Sequence, residues 1–251
     1  LFIGFLTTKE NEMKNTICLI GLFAIFLLIP TGLTYADDGL SGFISATIGS
    51  FNIKFPESGP AGESMGENVG FEDVYGSKRG LTYGIEGGIG NYSTGFFGVL
   101  KIRSWNKSGS PVIETIGDIS MDATAKWSQY FVSSGGRYFF VSQMAKNDLT
   151  LPFIGCGLIY SRAKETLSGN ISVPGQSEYF KVEAEVDGYG FYVEGGIDLF
   201  FSSNTTIRGT IEYSMLNLKG KTPDGTIVEI DGGGGLMFGL SLNYFLISRQ
   251  K

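Results

Sequence analysis

The chain has 251 residues, with 38 glycines, 7 prolines, 14% aromatic residues and a formal net charge of −6. An apolar share of 42% excludes wholesale disorder, and abundant glycine without a Gly-X-Y period excludes a collagen-like rod. The acidic balance, with an isoelectric point near 4.8, leaves no basic stripe to neutralise phosphates, which excludes nucleic acid as a partner.

Residues 1–12 are expected to lie upstream of the true start at Met13. Met13-Lys14-Asn15 opens a positive n-region, an apolar run follows over 17–30, and Thr34-Tyr35-Ala36 offers a cleavage site of the A-x-A type. The run is too short for a membrane-spanning helix, which needs about 20 residues, so 13–36 reads as a signal peptide and 37–251 as the exported domain. Cys18 falls inside the signal, which leaves Cys156 alone in the exported part and gives no disulfide framework. With no second run of helix length, any membrane insertion must be by strands.

Period-two alternation then recurs along the chain. A first strand is expected over 43–55, its facing ambiguous because the apolar phase shifts near Gly49. In the second, Leu81, Tyr83, Ile85 and Ile89 alternate with Thr82, Gly84, Glu86, Gly88 and Gly90. In the third, Phe96, Leu100 and Ile102 oppose Phe97, Val99, Lys101 and Arg103. The fourth sets Tyr130, Val132 and Tyr138 against Gln129, Phe131 and Arg137, and the fifth sets Ile154, Cys156, Leu158 and Tyr160 against Gly155, Gly157 and Ser161. The sixth alternates most regularly: Tyr189, Phe191, Val193, Ile197, Leu199 and Phe201 share one face, and Tyr192, Glu194, Gly196 and Asp198 the other. Ile207, Ile211 and Met215 then oppose Arg208, Thr210 and Glu212, and Phe238, Leu240, Leu242 and Tyr244 oppose Gly239, Ser241 and Asn243.

About eight strands result. Three connections are short (91–95, 142–150 and 202–205) and four are long (56–79, 106–124, 163–187 and 219–231), in alternation. In an up-and-down barrel such alternation sorts short turns to one rim and long loops to the other, as in outer-membrane barrels. The fold class is therefore expected to be all-β, an antiparallel up-and-down transmembrane β-barrel of about eight strands.

The polar phase collects Glu86, Lys101, Arg103, Arg137, Glu194, Asp198, Arg208 and Glu212, four acids and four bases. An eight-strand interior is wide enough only for side chains, so these charges must pair across the lumen, with glycines making room for them. The aliphatic and aromatic phase is expected to face lipid.

The signal-like N-terminus, the "PFIGCGLIYS" strand from Pro152 and the closing "GLMFGLSLNYF" resemble the small outer-membrane β-barrel proteins of diderm bacteria, the superfamily of the OmpA-type transmembrane domain and its porin-family relatives. The resemblance covers about 43–246 and rests on pattern rather than invariant residues. It implies a bacterial outer-membrane location, contact with outer-membrane lipid and lipopolysaccharide, and insertion by the barrel-assembly machinery. Family members end on an aromatic residue that this machinery reads. Here the chain runs past Tyr244-Phe245 to "ISRQK", so the insertion signal is expected at Leu242, Tyr244, Phe245 and Leu246, displaced from the end.

The chain contains no histidine, which removes Ser-His and Asp-His hydrolytic arrangements and the commonest ligand for zinc or haem. Glu86 and Glu194 read as lumen charges rather than an acid/base pair. "GGGG" at 232–235 reads as a hairpin entry, since no helix pattern follows it as in a phosphate loop. Acid clusters at Glu67, Glu72 and Asp73, at Asp118 and Asp122, and at Glu183, Glu185 and Asp187 read as solvated loop charge rather than Ca²⁺ or lipopolysaccharide-bridging sites. No catalytic, cofactor or metal site is expected. The functional expectation is a structural or surface-interaction barrel, with a narrow passive channel and a soluble lipocalin-like binder as alternatives.

Overall fold

The computed structural model describes residues 40–54, 75–91, 94–109, 112–116, 119–140, 149–221 and 227–246. The expected signal region and the acids Glu67, Glu72, Asp73 and Asp118 lie outside them.

Strands β1 (Leu40–Ile53), β2 (Arg79–Asn91), β3 (Phe96–Ser108), β4 (Val112–Ile116), β5 (Ile119–Phe139), β6 (Thr150–Val173), β7 (Gln176–Phe200), β8 (Thr205–Lys221), β9 (Ile227–Asp231) and β10 (Gly235–Phe245) follow in chain order. All pairings are antiparallel, and β1 pairs with both β2 and β10, running from Phe43↔Phe245 to Ile53↔Gly235 on the closing seam. Closure leaves no free edge around the ring.

Ten strands make eight staves. β4 lies beside β5 where β3 ends (Ser108↔Lys126, then Val112↔Ala123), and β9 lies beside β8 where β10 begins (Asp231↔Asn217, then Gly235↔Ser214). Each short strand prolongs a stave. The glycine run is thus a break inside the β9/β10 stave and not a hairpin entry. Gly233 sits at φ 83°, and its N–H donates to the Lys54 carbonyl at 3.0 Å.

Short connections share one rim as expected. Asn91 faces Leu40 there, and the Phe245 N–H donates to the Asn204 carbonyl at 2.7 Å. At the other rim three of the expected long loops are largely strand. β5 already begins at Ile119, and β6 and β7 run on until they meet at Pro174-Gly175. The alternation continues there with inverted polarity: Lys164, Thr166, Ser168 and Asn170 continue the outward phase, while Glu165 and Leu167 turn in. A reading keyed to an apolar outer face stops where lipid stops.

The facing of β1 is single. Phe43, Ser45, Phe51 and Ile53 are buried inward, and Ile44 and Ile48 are exposed. The apparent phase shift arises because the inward face is itself apolar at both ends. The whole lumen follows this layering. A lower aromatic plug comprises Phe43, Phe97, Val99, Phe139, Leu151, Phe153, Phe200 and Phe245. An upper layer holds Phe51, Ile53, Trp105, Trp127, Phe131, Ile159, Tyr192, Leu216, Leu218 and Met237. Charges occupy the middle. The expectation of a polar interior therefore holds only for the central belt.

Outside, large apolar side chains stand in the open: Leu158 at 73%, Phe96 at 63% and Leu240 at 60% exposed. Tyr83, Tyr130, Tyr160 and Tyr189 ring the band above, and Phe96, Tyr138, Phe201 and Tyr244 below. From Tyr189 to Phe201, β7 rises about 30 Å allowing for strand tilt, a bilayer's hydrocarbon thickness.

Candidate functional site

The inward phase of β2, β3, β5, β7 and β8 delivers all eight sequence-selected charges to one level of the lumen. β2 supplies Glu86, β3 Lys101 and Arg103, β5 Arg137, β7 Glu194 and Asp198, and β8 Arg208 and Glu212. They form one connected network. Arg137 donates to both oxygens of Glu86 (2.6 and 3.1 Å) and to Glu194 (2.9 to 3.1 Å). Arg208 grips Asp198 bidentately, Nε to Oδ1 at 2.6 Å and Nη2 to Oδ2 at 2.8 Å, and its Nη1 donates to Glu86. Lys101 bridges Glu194 (2.7 Å) and Glu212 (2.9 Å), and Arg103 donates to Glu212 and to the Met237 sulfur.

One feature of register explains why Lys101 must lie where it does. Glu194 and Glu212 face each other directly across β7 and β8, an unfavourable like-charge pair. The Lys101 ammonium sits between their carboxylates and over the Tyr192 ring at 3.9 Å, cancelling the repulsion. Below it the two guanidiniums stack on the plug: Arg137 lies 4.4 Å from the Phe153 centroid, and Arg208 lies 4.7 Å from Phe43 and 4.9 Å from Phe153. Cations on aromatic faces join the charged belt to the apolar plug without a polar gap. Glycine makes the room: a Cβ at Gly155 would come 2.7 Å from the Glu194 carboxylate oxygen, and one at Gly88 would enter the Phe43 ring.

Sequence reasoning placed Asn243 and Gln129 on the polar phase without giving them partners; Asn243 joins this network, and Gln129 bonds within the upper layer. Asn243 donates to Asp198 (3.2 Å) and Thr206 (2.8 Å), and Gln129 to Ser161 (2.8 Å) and the Gly233 carbonyl (2.9 Å). Of the expected insertion signal, Leu242 and Tyr244 point outward and Leu246 is half-buried. Phe245, the one residue of the four not expected to face outward, is 1% exposed inside the plug, its ring 5.8 Å from Phe200 and 5.7 Å from Phe43. Odd positions of β10 face inward, so Phe245 shares the phase of Ser241 and Asn243. Cys156 is exposed on the outer face.

Above the membrane level, the Tyr75 hydroxyl donates to the Glu165 carboxylate at 2.8 Å. Burial pushes the Glu165 carboxyl above its ordinary range, opposed by the Tyr75 hydrogen bond, and burial also raises the phenol, which stays a donor. Tyr75→Phe is expected to cost about 1–3 kcal/mol at neutral pH by orphaning that carboxylate. Because the folded pKa is raised, the folded state holds the proton more tightly, and stability falls as pH rises from the unfolded value through the folded one. The penalty therefore shrinks on acidification. Urea titrations of both proteins at two pH values check it, and an equal penalty at both would contradict the role given to Glu165.

A closed ring of eight antiparallel staves, filled inside and banded with apolar side chains outside, is a transmembrane β-barrel of the outer-membrane type. Such a barrel crosses a membrane with its strands and keeps every backbone polar group of the ring paired. No family model and no curated protein matches the sequence. Among solved structures, Neisserial surface protein A (NspA) matches at 12% identity and TM-score 0.45, covering 82% of this chain and 96% of that one. OprG from Pseudomonas aeruginosa matches at 13% and 0.44, over 82% and 93%. Ail, the attachment invasion locus protein of Yersinia pestis, in complex with the heparin analogue sucrose octasulfate, matches at 13% and 0.40, over 83% and 99%. The strand ladder of this chain, rather than these likenesses, defines its architecture.

Proposed function

We propose that the protein is a closed, non-enzymatic outer-membrane barrel whose role is structural or interactive, presenting the sheet built by β4 to β7 at the cell surface for envelope integrity or adhesion. The filled lumen carries this reading. Between the aromatic plug and the upper apolar layer, two cavities beside the charged belt measure ≈ 10 Å³ each, room for about one water molecule apiece. Ions crossing such an interior would have to break paired, buried charges. The exposed apolar exterior disfavours a soluble ligand-binding barrel, which would hold that phase inside.

Leu242 and Tyr244 are the outward residues through which we expect the barrel-assembly machinery to read the last strand. The test of the central reading is electrical. Full-length protein reconstituted in planar bilayers is expected to give no steady single-channel current above the empty bilayer. Sustained, reproducible conductance steps would sink it and favour the passive channel.

A further inference from the structure

The upper apolar layer is built from strand residues with one exception among the described residues. Tyr75 lies outside the ladder, shortly before β2 begins at Arg79, yet it is buried in the same layer as Trp105, Trp127, Ala163, Val186 and Leu218. Gly76 makes the turn that sends it inward. The φ of 68° there is one that a side chain resists, and a Cβ at that position would meet nothing within 4 Å. The Tyr75 hydroxyl then reaches Glu165 on β6, three places round the ring from β2. Glu165 is buried between Ala163 and Leu167 on the inward face of β6. Every acid of the central belt meets a cation, whereas Glu165 meets the phenol hydroxyl and, among the described residues, no cation. An apolar residue would fill that position at lower cost, so an acceptor kept there points to recognition of a hydroxyl rather than to packing.

We infer that this mouth is a socket for a tyrosine side chain carried on an extracellular polypeptide, with Tyr75 as the chain's own resident stopper. The socket rests on the surface-interaction reading above, on which the rim opposite the short turns faces the outside, and it gives that reading a chemistry. Its walls are aromatic and aliphatic, and its far side holds an acceptor for the phenol hydroxyl. The resident enters on a peptide backbone, so the opening already admits one. Withdrawal of the stopper leaves the barrel wall in place. The ladder is tied from Lys78 onward, where the Ile53 N–H donates to the Lys78 carbonyl at 3.1 Å, and the Arg79 N–H donates to the Ser77 hydroxyl at 3.0 Å. Open space beside Gly76 leaves room for the turn to swing. While seated, Tyr75 competes from within the molecule, so an outside tyrosine binds the unaltered protein below the socket's full affinity. Selectivity comes from Glu165: a phenylalanine of the same shape would leave the buried acceptor unpaired and is rejected.

Calorimetric titration of the full chain, refolded in a zwitterionic detergent, with N-acetyl-tyrosinamide and N-acetyl-phenylalaninamide provides the test. Tyr75→Ala is expected to bind the tyrosine amide saturably and the phenylalanine amide about tenfold more weakly or worse. The unaltered protein is expected to bind the tyrosine amide about tenfold more weakly than Tyr75→Ala does. Absence of saturable binding in folded Tyr75→Ala, equal binding of the two amides, or equal affinity in the two proteins overturns the inference. Tyr75→Ala/Glu165→Leu is expected to lose the preference for tyrosine. A preference that survives there puts the ligand elsewhere, which also overturns the socket. Gly76→Val keeps Tyr75 but opposes the turn that seats it, and is expected to bind the tyrosine amide about fivefold more tightly than the unaltered protein. Heat-modifiable gel migration verifies that each variant is folded. If Tyr75→Ala fails to fold, Gly76→Val decides, and an affinity no greater than that of the unaltered protein overturns the stopper. Conductance tests the closed lumen and these titrations test the socket, so the two fail separately.

Discussion

Arg208→Ala is expected to lower the stability of the barrel by about 3–5 kcal/mol and, in the same molecule, to raise its ion leakage. Arg208 is fully buried, grips Asp198 with two hydrogen bonds and reaches Glu86 across the lumen. Truncation leaves Asp198, itself fully buried, with the Asn243 amide as its remaining side-chain donor in the network. An uncompensated charge in that position either draws in water or takes up a proton. Both responses loosen the centre of the lumen, directly above the Phe43 and Phe153 rings on which the guanidinium rests. The space left by the guanidinium opens beside Glu86, which also lines one of the small voids in the belt, and this is why leakage and instability are expected together. Arg208→Lys separates charge from geometry, because an ammonium keeps the sign but cannot reproduce the bidentate fork. It is expected to fall between wild type and Arg208→Ala in urea midpoint and to leak less than the alanine variant. Unchanged midpoint and unchanged conductance in Arg208→Ala would mean that the charged belt holds neither the fold nor the seal.

This network also marks the limit of what period two reveals. Parity places a side chain on one side of a strand, and every one of the eight charges falls on the inward side that parity gives it. Partners are another matter. Glu86 and Lys101 are opposed in register on β2 and β3, yet the ammonium reaches across to Glu194 and Glu212. Glu86 instead meets Arg137 and Arg208, which stand on β5 and β8. Ladder register is a local property, whereas lumen pairing depends on how far each side chain extends through a sheared ring. Asp198 and Arg208 are the exception. They are register neighbours across the Phe201–Asn204 turn, and a reader of the sequence could have paired them. Strand ends were lost for a different reason. The β6–β7 hairpin keeps its alternation above Tyr160 and Tyr189, but water replaces lipid outside it, so the outward residues turn polar and resemble a loop. Phe97, Phe131 and Phe153 were legible as inward by phase, while their stacking into two plugs was not, because a layer in the lumen is assembled from several staves at once.

The lipid side of the wall gives the other large effect. Ile197 lies on the outward face of β7, between Tyr189 and Phe201 and next to the exposed Val193 and Leu199. Its 39% exposure means an arginine there would project into hydrocarbon rather than into the packed lumen. Near the bilayer midplane such a substitution costs about 2–4 kcal/mol, less where the side chain can snorkel to an interface. Ile197→Arg is therefore expected to lower the urea midpoint of the barrel refolded in lipid vesicles and to slow its acquisition of heat-modifiable migration. Tyr179 supplies the comparison. It is on the same outward face of the same strand and more exposed, at 63%, but stands ten residues above Tyr189, beyond the apolar band. Tyr179→Arg puts the same charge on that face in water, where surface changes usually stay within about 0.5 kcal/mol. The difference between the two variants measures the membrane itself. If both destabilise equally, the strand is reporting its packing and the outer band is not in lipid. If only Ile197→Arg does, the hydrocarbon boundary on β7 falls between the two positions, as the tyrosines at 160 and 189 place it.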